Sequence, residues 1–210
     1  NDYDLDESIV LKKSSGYKLN ENWNFWLDWQ EFSNLYWSIN YDLKKDDTIS
    51  YNNLIYKLNK ALDLYRDDFM SGDNYESWTE VAREQYREMY MELLLNIAKC
   101  YYEQEKYDNA IIYLKKGIRE EPYREEFYLL AMKVLKKEKR LGEAVKIYER
   151  CHEILKSELN IAPSKELQEV YKDIQDNEFT LDEEKIFTGL KQSEEAKSSF
   201  ICNKKTFMKK

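Results

Sequence analysis

Residues that interrupt helices are scarce in this chain of 210 residues, which has only five glycines and two prolines. Runs rich in β-branched residues, which favour strands, are also few. Long amphipathic helices are therefore the simplest way to bury the apolar side chains. The composition predicts a mainly α protein.

Cysteine and histidine are also rare. The three cysteines, Cys100, Cys151 and Cys202, are far apart and include no CxxC pair, which predicts reduced thiols in a cytoplasmic protein. His152 is the only histidine. It follows Cys151 directly, and neighbours on a helix point about 100° apart, so the two do not form a nucleophile and base pair. Because no phosphate loop, HExxH or GxSxG motif is present, we expect no enzyme, no catalytic residue, no metal site and no cofactor.

Long apolar runs are missing as well. None approaches the roughly 18 residues of a membrane span and no signal peptide is apparent, so we expect no membrane partner. The formal net charge of −8 argues against a protein that coats nucleic acid through a positive field, so any DNA contact must be local. The chain starts with Asn1 and not with Met, and we expect it to be part of a longer protein.

The N-terminal stretch "SIVLKKSSGYKLN" (8–20) has apolar segments on either side of a Ser/Gly turn. This pattern is typical of a β-hairpin. A two-stranded ribbon is only marginally stable in water, so the hairpin must pack on another surface.

An aromatic run follows between Glu21 and Trp37, with four tryptophans, two phenylalanines and one tyrosine but no Lys or Arg. Stacking on single-stranded nucleic acid would need basic residues between the rings. We therefore interpret the run as a joint: the segment from Trp23 to Trp26 seals the underside of the hairpin, and the stripe that begins at Trp29 is buried against the helices. The residues assigned to this domain joint are Trp23, Trp26, Trp29, Phe32 and Tyr36.

Helical periodicity continues through most of the remaining chain. Asp28 and Glu31 match an N-cap with a capping box, which predicts a helix over 29–41. Further helices are expected after Ser50, over 77–105 and after Ser164. Ala110 of "YDNAIIYLKKGI" aligns with Ala144 of "LGEAVKIYERCH" at an offset of 34 residues, the period of tetratricopeptide (TPR) repeats. The predicted fold class is mainly α, with about seven helices in TPR-like antiparallel hairpins and a short N-terminal β-hairpin.

Four segments carry a resemblance to a known family: "YRDDFMSGDNYESWTEVAREQYREMYMELLLNIAKCY", "EEPYREEFYLLAMKVL", "RLGEAVKIYERCHEIL" and "SELNIAPSKELQEVY". Over roughly residues 25–175 the chain resembles the bacterial transcriptional activator domain (BTAD) of SARP-type regulators. The family usually has Gly where this chain has Asn160, a residue that also tolerates the left-handed conformation. In that family the domain follows a winged-helix DNA-binding domain whose terminal hairpin is similar to "IVLKKSSGYKLN".

The resemblance implies three parts. Residues 1–24 are the remnant of a winged-helix domain, 25–175 form the helical BTAD, and 176–210 are a polar linker and the start of a further domain. A weaker idea is that the tail "FICNKKTFMKK" opens a signalling domain similar to degenerate cyclase-like modules.

The leading functional hypothesis is a regulatory and protein-interaction domain of a bacterial DNA-binding transcription regulator, which couples a winged helix to dimerisation or to RNA polymerase. The expected partners are a protein or a second copy of the chain in a homodimer, RNA polymerase, and DNA through the intact parent protein. The alternative is a TPR-type protein–protein adaptor without DNA binding.

Two surfaces would serve these roles. Lys12, Lys13 and Lys18 flank the hairpin turn, where a wing approaches the DNA backbone; the alternative is a solvated turn. A concave face of the TPR-like pairs would bind an acidic partner, unless a neighbouring helix of the same chain fills it. By analogy with TPR repeats, the residues of this concave face are Leu95, Lys99, Tyr102, Lys133, Lys136 and Lys137.

Overall fold

The computed structural model describes residues 9–14, 16–45, 50–70, 72 and 77–176. Within these ranges the chain forms a β-hairpin followed by seven helices, which confirms the predicted fold class. Residues 177–210 of the predicted linker (176–210), which include Cys202, and the first eight residues lie outside the described ranges. The elements are β1 (Val10–Lys13), β2 (Gly16–Leu19), α1 (Asp28–Lys44), α2 (Tyr51–Leu64), α3 (Ser77–Glu103), α4 (Tyr107–Glu120), α5 (Glu125–Lys137), α6 (Leu141–Ile154), a π-helical turn (Leu155–Leu159) and α7 (165–176).

The chain divides into two compact units, Asn1–Tyr90 and Met91–Lys210. The first unit begins with the predicted hairpin, in which β1 and β2 are antiparallel with Lys13 opposite Gly16. The φ angle of Gly16 is 138°, a conformation that side chains with a Cβ rarely adopt, so this turn requires glycine.

Helices α1 and α2 pack against each other through apolar residues at helical spacing. Two ion pairs of 2.7 Å also join them, one of which links Lys60 to Glu31. Helix α1 is longer than predicted, and Leu27, not Asp28, is its N-cap. The predicted capping box is therefore wrong. Asp28 lies inside the first turn, where its negative charge interacts favourably with the helix dipole. The carboxylate of Glu31 accepts a hydrogen bond from Lys60 of α2 instead of capping α1.

The second unit contains the predicted repeat. Glu105 follows α3 and Lys139 follows α5, and both have left-handed backbones with φ of 57° and 59°. Their residue numbers differ by 34, and after each of them the next N–H donates a hydrogen bond of 2.9 Å to the carbonyl five residues back. Ala110 and Ala144 are fully buried in α4 and α6. The structure thus repeats at the interval read from the sequence.

The last part of the second unit is less regular. The π-helical turn ends at Leu159, and the next residue, Asn160, has a left-handed backbone (φ 54°, ψ 36°), the conformation that asparagine tolerates. Helix α7 buries Leu167 and Ile174, and its Tyr171 ring stacks on Tyr148 of α6 at a centroid distance of 3.9 Å. Helix α7 therefore packs against the repeat instead of standing free.

Candidate functional site

The lysines of the hairpin turn do not share one face. Side chains alternate along a strand, and the register places Lys12 opposite Tyr17 but Lys13 opposite Gly16, so Lys12 lies on one face and Lys13 on the other. Both are exposed, and neither forms an ion pair with a described residue. Lys18 differs, since it pairs with Glu21 at 2.5 Å and its hydrogen bond holds the pKa of that carboxyl below its ordinary value. Lys12 and Lys13 thus differ from Lys18 in forming no ion pair with a described residue, and their predicted contact with a DNA backbone stays a prediction.

The residues predicted as a domain joint separate into a buried and an exposed group. Phe32 and Tyr36 of α1 are 2% and 8% exposed. The ring of Phe32 lies 5.6 Å from Tyr65 and 6.1 Å from Tyr86, measured between centroids. These two joint residues belong to the core of the first unit, as the stripe on α1 predicted.

Trp23 and Trp26 do not seal the underside of the hairpin. They are 46% and 69% exposed, and neither ring contacts another aromatic ring among the described residues. Burial of a tryptophan needs a surface that is supplied from elsewhere in the chain. Phe32 and Tyr36 of α1 have such a surface, whereas Trp23 and Trp26 remain exposed. The expectation of burial fails for this pair.

A cleft of about 240 Å³ opens beside the buried rings and was not foreseen from the sequence. Its walls come from the first turn of α1 with Trp29 and Phe32, from the stretch 64–70 that follows α2, and from Tyr86 of α3. Of the two joint residues that line this cleft, Trp29 stays 40% exposed and Phe32 is buried. The two aromatic residues on either side of an Asp-Asp pair in "YRDDF" were the signal in the sequence that could have indicated it.

The stretch that lines the cleft is held in place by hydrogen bonds. Arg83 of α3 donates from Nε to the carbonyl of Phe69 at 3.1 Å and from Nη2 to the carbonyl of Met70 at 3.3 Å. The hydroxyl of Tyr65 donates to Oδ1 of Asp68 at 2.8 Å. Burial and this hydrogen bond raise the pKa of Tyr65, so the phenol remains protonated. These contacts fix an irregular backbone that would otherwise have few constraints.

The residues assigned to a concave face fall into two groups in the second unit. Leu95, Lys99 and Tyr102 lie on one side of α3 at spacings of four and three residues, and the other three lie on α5. No hydrogen bond or ion pair between described residues connects the groups. Lys133 binds Glu166 at 3.0 Å and Lys136 binds Asp173, both on α7, whereas Lys137 is exposed. At two of its lysines the face is thus occupied by a helix of the same chain, the alternative raised above.

The remaining chemically reactive groups are buried or isolated. Burial raises the pKa of Cys100 to about 11 and that of Cys151 to about 12, so neither thiol is an active nucleophile at neutral pH. The imidazole of His152 stacks on Tyr148 at a centroid distance of 6.2 Å. Within the described ranges, no group of three or more metal-binding side chains occurs, and none of the helices is long and apolar enough to cross a membrane.

Solved structures with a similar fold include several TPR-type proteins. EmbR from Mycobacterium tuberculosis, solved in complex with a low-affinity phosphopeptide, superposes with a TM-score of 0.63 and 16% identity over 80% of this chain and 44% of that one. The Hsp90 co-chaperone Cns1 from Saccharomyces cerevisiae gives a TM-score of 0.58 and 16% identity over 83% of this chain and 46% of that one. The C-terminal TPR-containing domain of a Plasmodium falciparum protein gives 0.53 and 15% identity, and covers 75% of this chain and 97% of that one. At these identities the likeness establishes the fold alone.

Sequence comparisons give a more specific result. No curated protein matches the chain significantly. The family model of the bacterial transcriptional activator domain, in contrast, matches residues 27–175. That range contains the aromatic core of the first unit, the cleft and the 34-residue repeat. The chain therefore belongs to the bacterial transcriptional activator domain (BTAD) family.

Proposed function

We propose that this chain is the regulatory and protein-interaction domain of a bacterial DNA-binding transcription regulator, and that a winged-helix domain precedes the helices in the parent protein. The observation that carries the proposal is the family match, which begins at residue 27, soon after β2 ends at Leu19. If the lysine-bearing hairpin is the wing of a winged-helix domain, we expect the helical regulatory domain to follow it directly in the chain, as it does here.

The exposed apolar residues of the hairpin support the same proposal. Val10 and Leu19 lie opposite each other on one face of the ribbon and remain about half exposed. Two strands alone are marginally stable, so this face needs a packing surface. A winged-helix domain would supply that surface at the open end of the ribbon. Lys12, which shares the face of Val10 and Leu19, and Lys13, on the other face, lie at the turn end, where both would reach the DNA backbone.

The proposed mechanism is mechanical and electrostatic, without catalysis. The helices fix the orientation of the wing, and they offer a surface to a second copy of the chain or to RNA polymerase. Lys99 and Lys137 are the exposed lysines of the predicted concave face that form no ion pair with a described residue, so they remain available to an acidic partner.

Gel shifts of the full-length parent over a range of salt concentrations test the proposal. Lys12→Ala with Lys13→Ala should weaken DNA binding and reduce the slope of log K against log salt by about two, since two phosphate contacts are lost. Lys156→Ala with Lys165→Ala, two exposed lysines of the second unit, is the matched control and should leave the slope unchanged. Equal slopes for both pairs, or sequence-specific binding by the 210-residue chain alone, would contradict the proposed role of the wing. Light scattering of the same samples reports dimerisation.

The TPR-like repeat supports a second candidate, a protein–protein adaptor without DNA binding. Such repeats present extended surfaces to other proteins. A parent protein that gives no gel shift at low salt, with wild-type lysines, would favour the adaptor.

A further inference from the structure

The cleft of the first unit combines aromatic walls with carboxylates that form no ion pair with a described residue. The rings of Trp29, Phe69 and Tyr86 lie 5.0–6.3 Å from one another between centroids. The planes of Trp29 and Phe69 meet at 82°, so these two rings form adjacent sides of a corner. We propose that this cleft binds a cationic side chain, the guanidinium of an arginine or the ammonium of a lysine, which a protein partner presents. The proposal does not depend on DNA binding or on a winged helix.

The charges around the rings favour a cation. Asp28, Asp67 and Asp68 line the cleft, and none of the three forms an ion pair with a described residue. Arg66 is the single basic residue among the described lining residues, and it makes no ion pair with them either. The lining therefore carries a net negative charge at neutral pH.

Two of the lining carboxylates are held by hydrogen bonds to the backbone close to the ring-bearing residues. Oδ1 of Asp28 accepts the backbone N–H of Trp29 at 2.8 Å. Oδ1 of Asp67 accepts the N–H of Asp68 at 2.9 Å, directly before Phe69 in the chain. A cation over an aromatic face is attracted by the ring quadrupole, most strongly by tryptophan, and a nearby carboxylate adds a charge-assisted hydrogen bond.

Size and accessibility favour a side chain over a free ligand. A volume of about 240 Å³ lies below the roughly 300–1,000 Å³ typical of sites that enclose small molecules. Trp29 and Asp67 are exposed at the mouth, so a group attached to a larger partner can enter from solvent. Arg83 anchors the wall at the carbonyls of Phe69 and Met70, so little ordering is needed on binding.

Fluorine NMR of the 210-residue chain labelled with 5-fluorotryptophan tests the proposal. The probes are two capped tripeptides, Gly-Arg-Gly and Gly-citrulline-Gly, which have the same shape at the central residue but differ in charge. We expect saturable shifts of the Trp29 resonance with the arginine peptide at millimolar concentration and no shift with the citrulline peptide. Trp29→Leu assigns the resonance, and Trp37→Leu, which removes an exposed ring of the same helix outside the cleft, is its control.

Variants that keep every ring test the carboxylates. Asp28→Asn with Asp67→Asn should weaken binding of the arginine peptide about tenfold, because two of the three lining carboxylates lose their charge. Asp63→Asn with Glu80→Gln removes two exposed carboxylates of the same unit that do not line the cleft, and it should change the affinity by less than about twofold.

Three results would overturn the proposal. Equal binding of the citrulline peptide would exclude recognition of charge, and shifts at other tryptophans without Trp29 would place the site elsewhere. Absence of any shift at millimolar peptide would exclude binding.

Discussion

The two compact units bury their aromatic rings in different ways. In the second unit one turn geometry occurs twice, and Phe127 and Tyr128 are completely buried between regular helices. In the first unit the rings gather where α1 meets the irregular stretch 64–70, and the same cluster has a buried side at Phe32 and an open side at Trp29. In a repeat, the same helix packing occurs again and buries the rings completely. In an irregular cluster, part of the ring surface stays exposed to solvent, where a partner can contact it.

The largest expected loss of stability comes from a substitution in the buried part of the aromatic cluster of the first unit. Phe32→Ala removes a ring that contacts Tyr65 and Tyr86, and it should lower the free energy of unfolding by about 3–5 kcal/mol. Trp37→Ala on the same helix removes a ring that is 62% exposed and should cost about 1 kcal/mol or less. Urea denaturation followed by circular dichroism measures both. Similar losses for the two variants would show that the cluster has no distinct buried side.

A close helix contact in the second unit gives the next largest effect. A Cβ atom at Gly117 of α4 would overlap the buried ring of Phe127 in α5, so Gly117→Ala should destabilise by about 1–3 kcal/mol. Gly142→Ala in α6 meets no atom within 4 Å and should be neutral or slightly stabilising, since alanine is the better helix former. The same urea measurement decides. If Gly117→Ala and Gly142→Ala had the same free energy of unfolding, the helices around Gly117 would be less tightly packed than the structure indicates.

The regular unit is also the one that the sequence predicted best. The small residues Ala110 and Ala144 are 34 residues apart in the sequence, and both are fully buried at equivalent places of the repeat. The interval in the sequence therefore predicted the interval of the structural repeat. Asn160 could be assigned a left-handed backbone because few residue types tolerate it. Such features depend on neighbours in the chain and on one repeated distance, and both are visible in a sequence.

The open cleft could not be predicted in that way. Trp29, Phe69 and Tyr86 are far apart in the chain, and their assembly depends on the path of an irregular segment. Periodicity correctly placed Phe32 in a buried stripe. The expectation that Trp23 and Trp26 seal the hairpin rested on their place next to it in the sequence, which does not tell which surface lies opposite a ring. The capping box failed for a similar reason, since the partner of Glu31 is Lys60 on another helix.

The left-handed residue at the end of the π-helical turn gives a smaller effect. Asn160→Val should destabilise by about 1–2 kcal/mol, because a β-branched side chain is strained at φ of 54°. Asn160→Gly should stay within about 0.5 kcal/mol of wild type, because glycine adopts this conformation freely but also loses more entropy on folding. The comparison of the two variants by urea denaturation isolates backbone conformation from the loss of the amide. Equal stability of the valine and glycine variants would mean that the turn relaxes out of the left-handed conformation.

The smallest expected effect concerns the ion pairs that join α5 to α7. Exposed pairs contribute roughly 0.2–1 kcal/mol each, so Lys133→Gln with Lys136→Gln should hardly change global stability. Lys133→Glu with Lys136→Glu adds repulsion against Glu166 and Asp173 and should loosen α7, which hydrogen exchange reports as faster exchange over residues 165–176.

Reversal of both sides distinguishes that local role from a binding role. Adding Glu166→Lys with Asp173→Lys to the glutamate variant restores opposite charges and should restore protection of α7. If binding of an acidic partner in the parent were lost in the glutamate variant but recovered together with the protection, the lysines would act by holding α7. Protection that recovers without binding would instead assign Lys133 and Lys136 to the partner surface. In that case α7 covers a binding surface in the second unit. The two units would then both contain a binding surface, and they would differ in that α7 covers one whereas the cleft of the first unit is open.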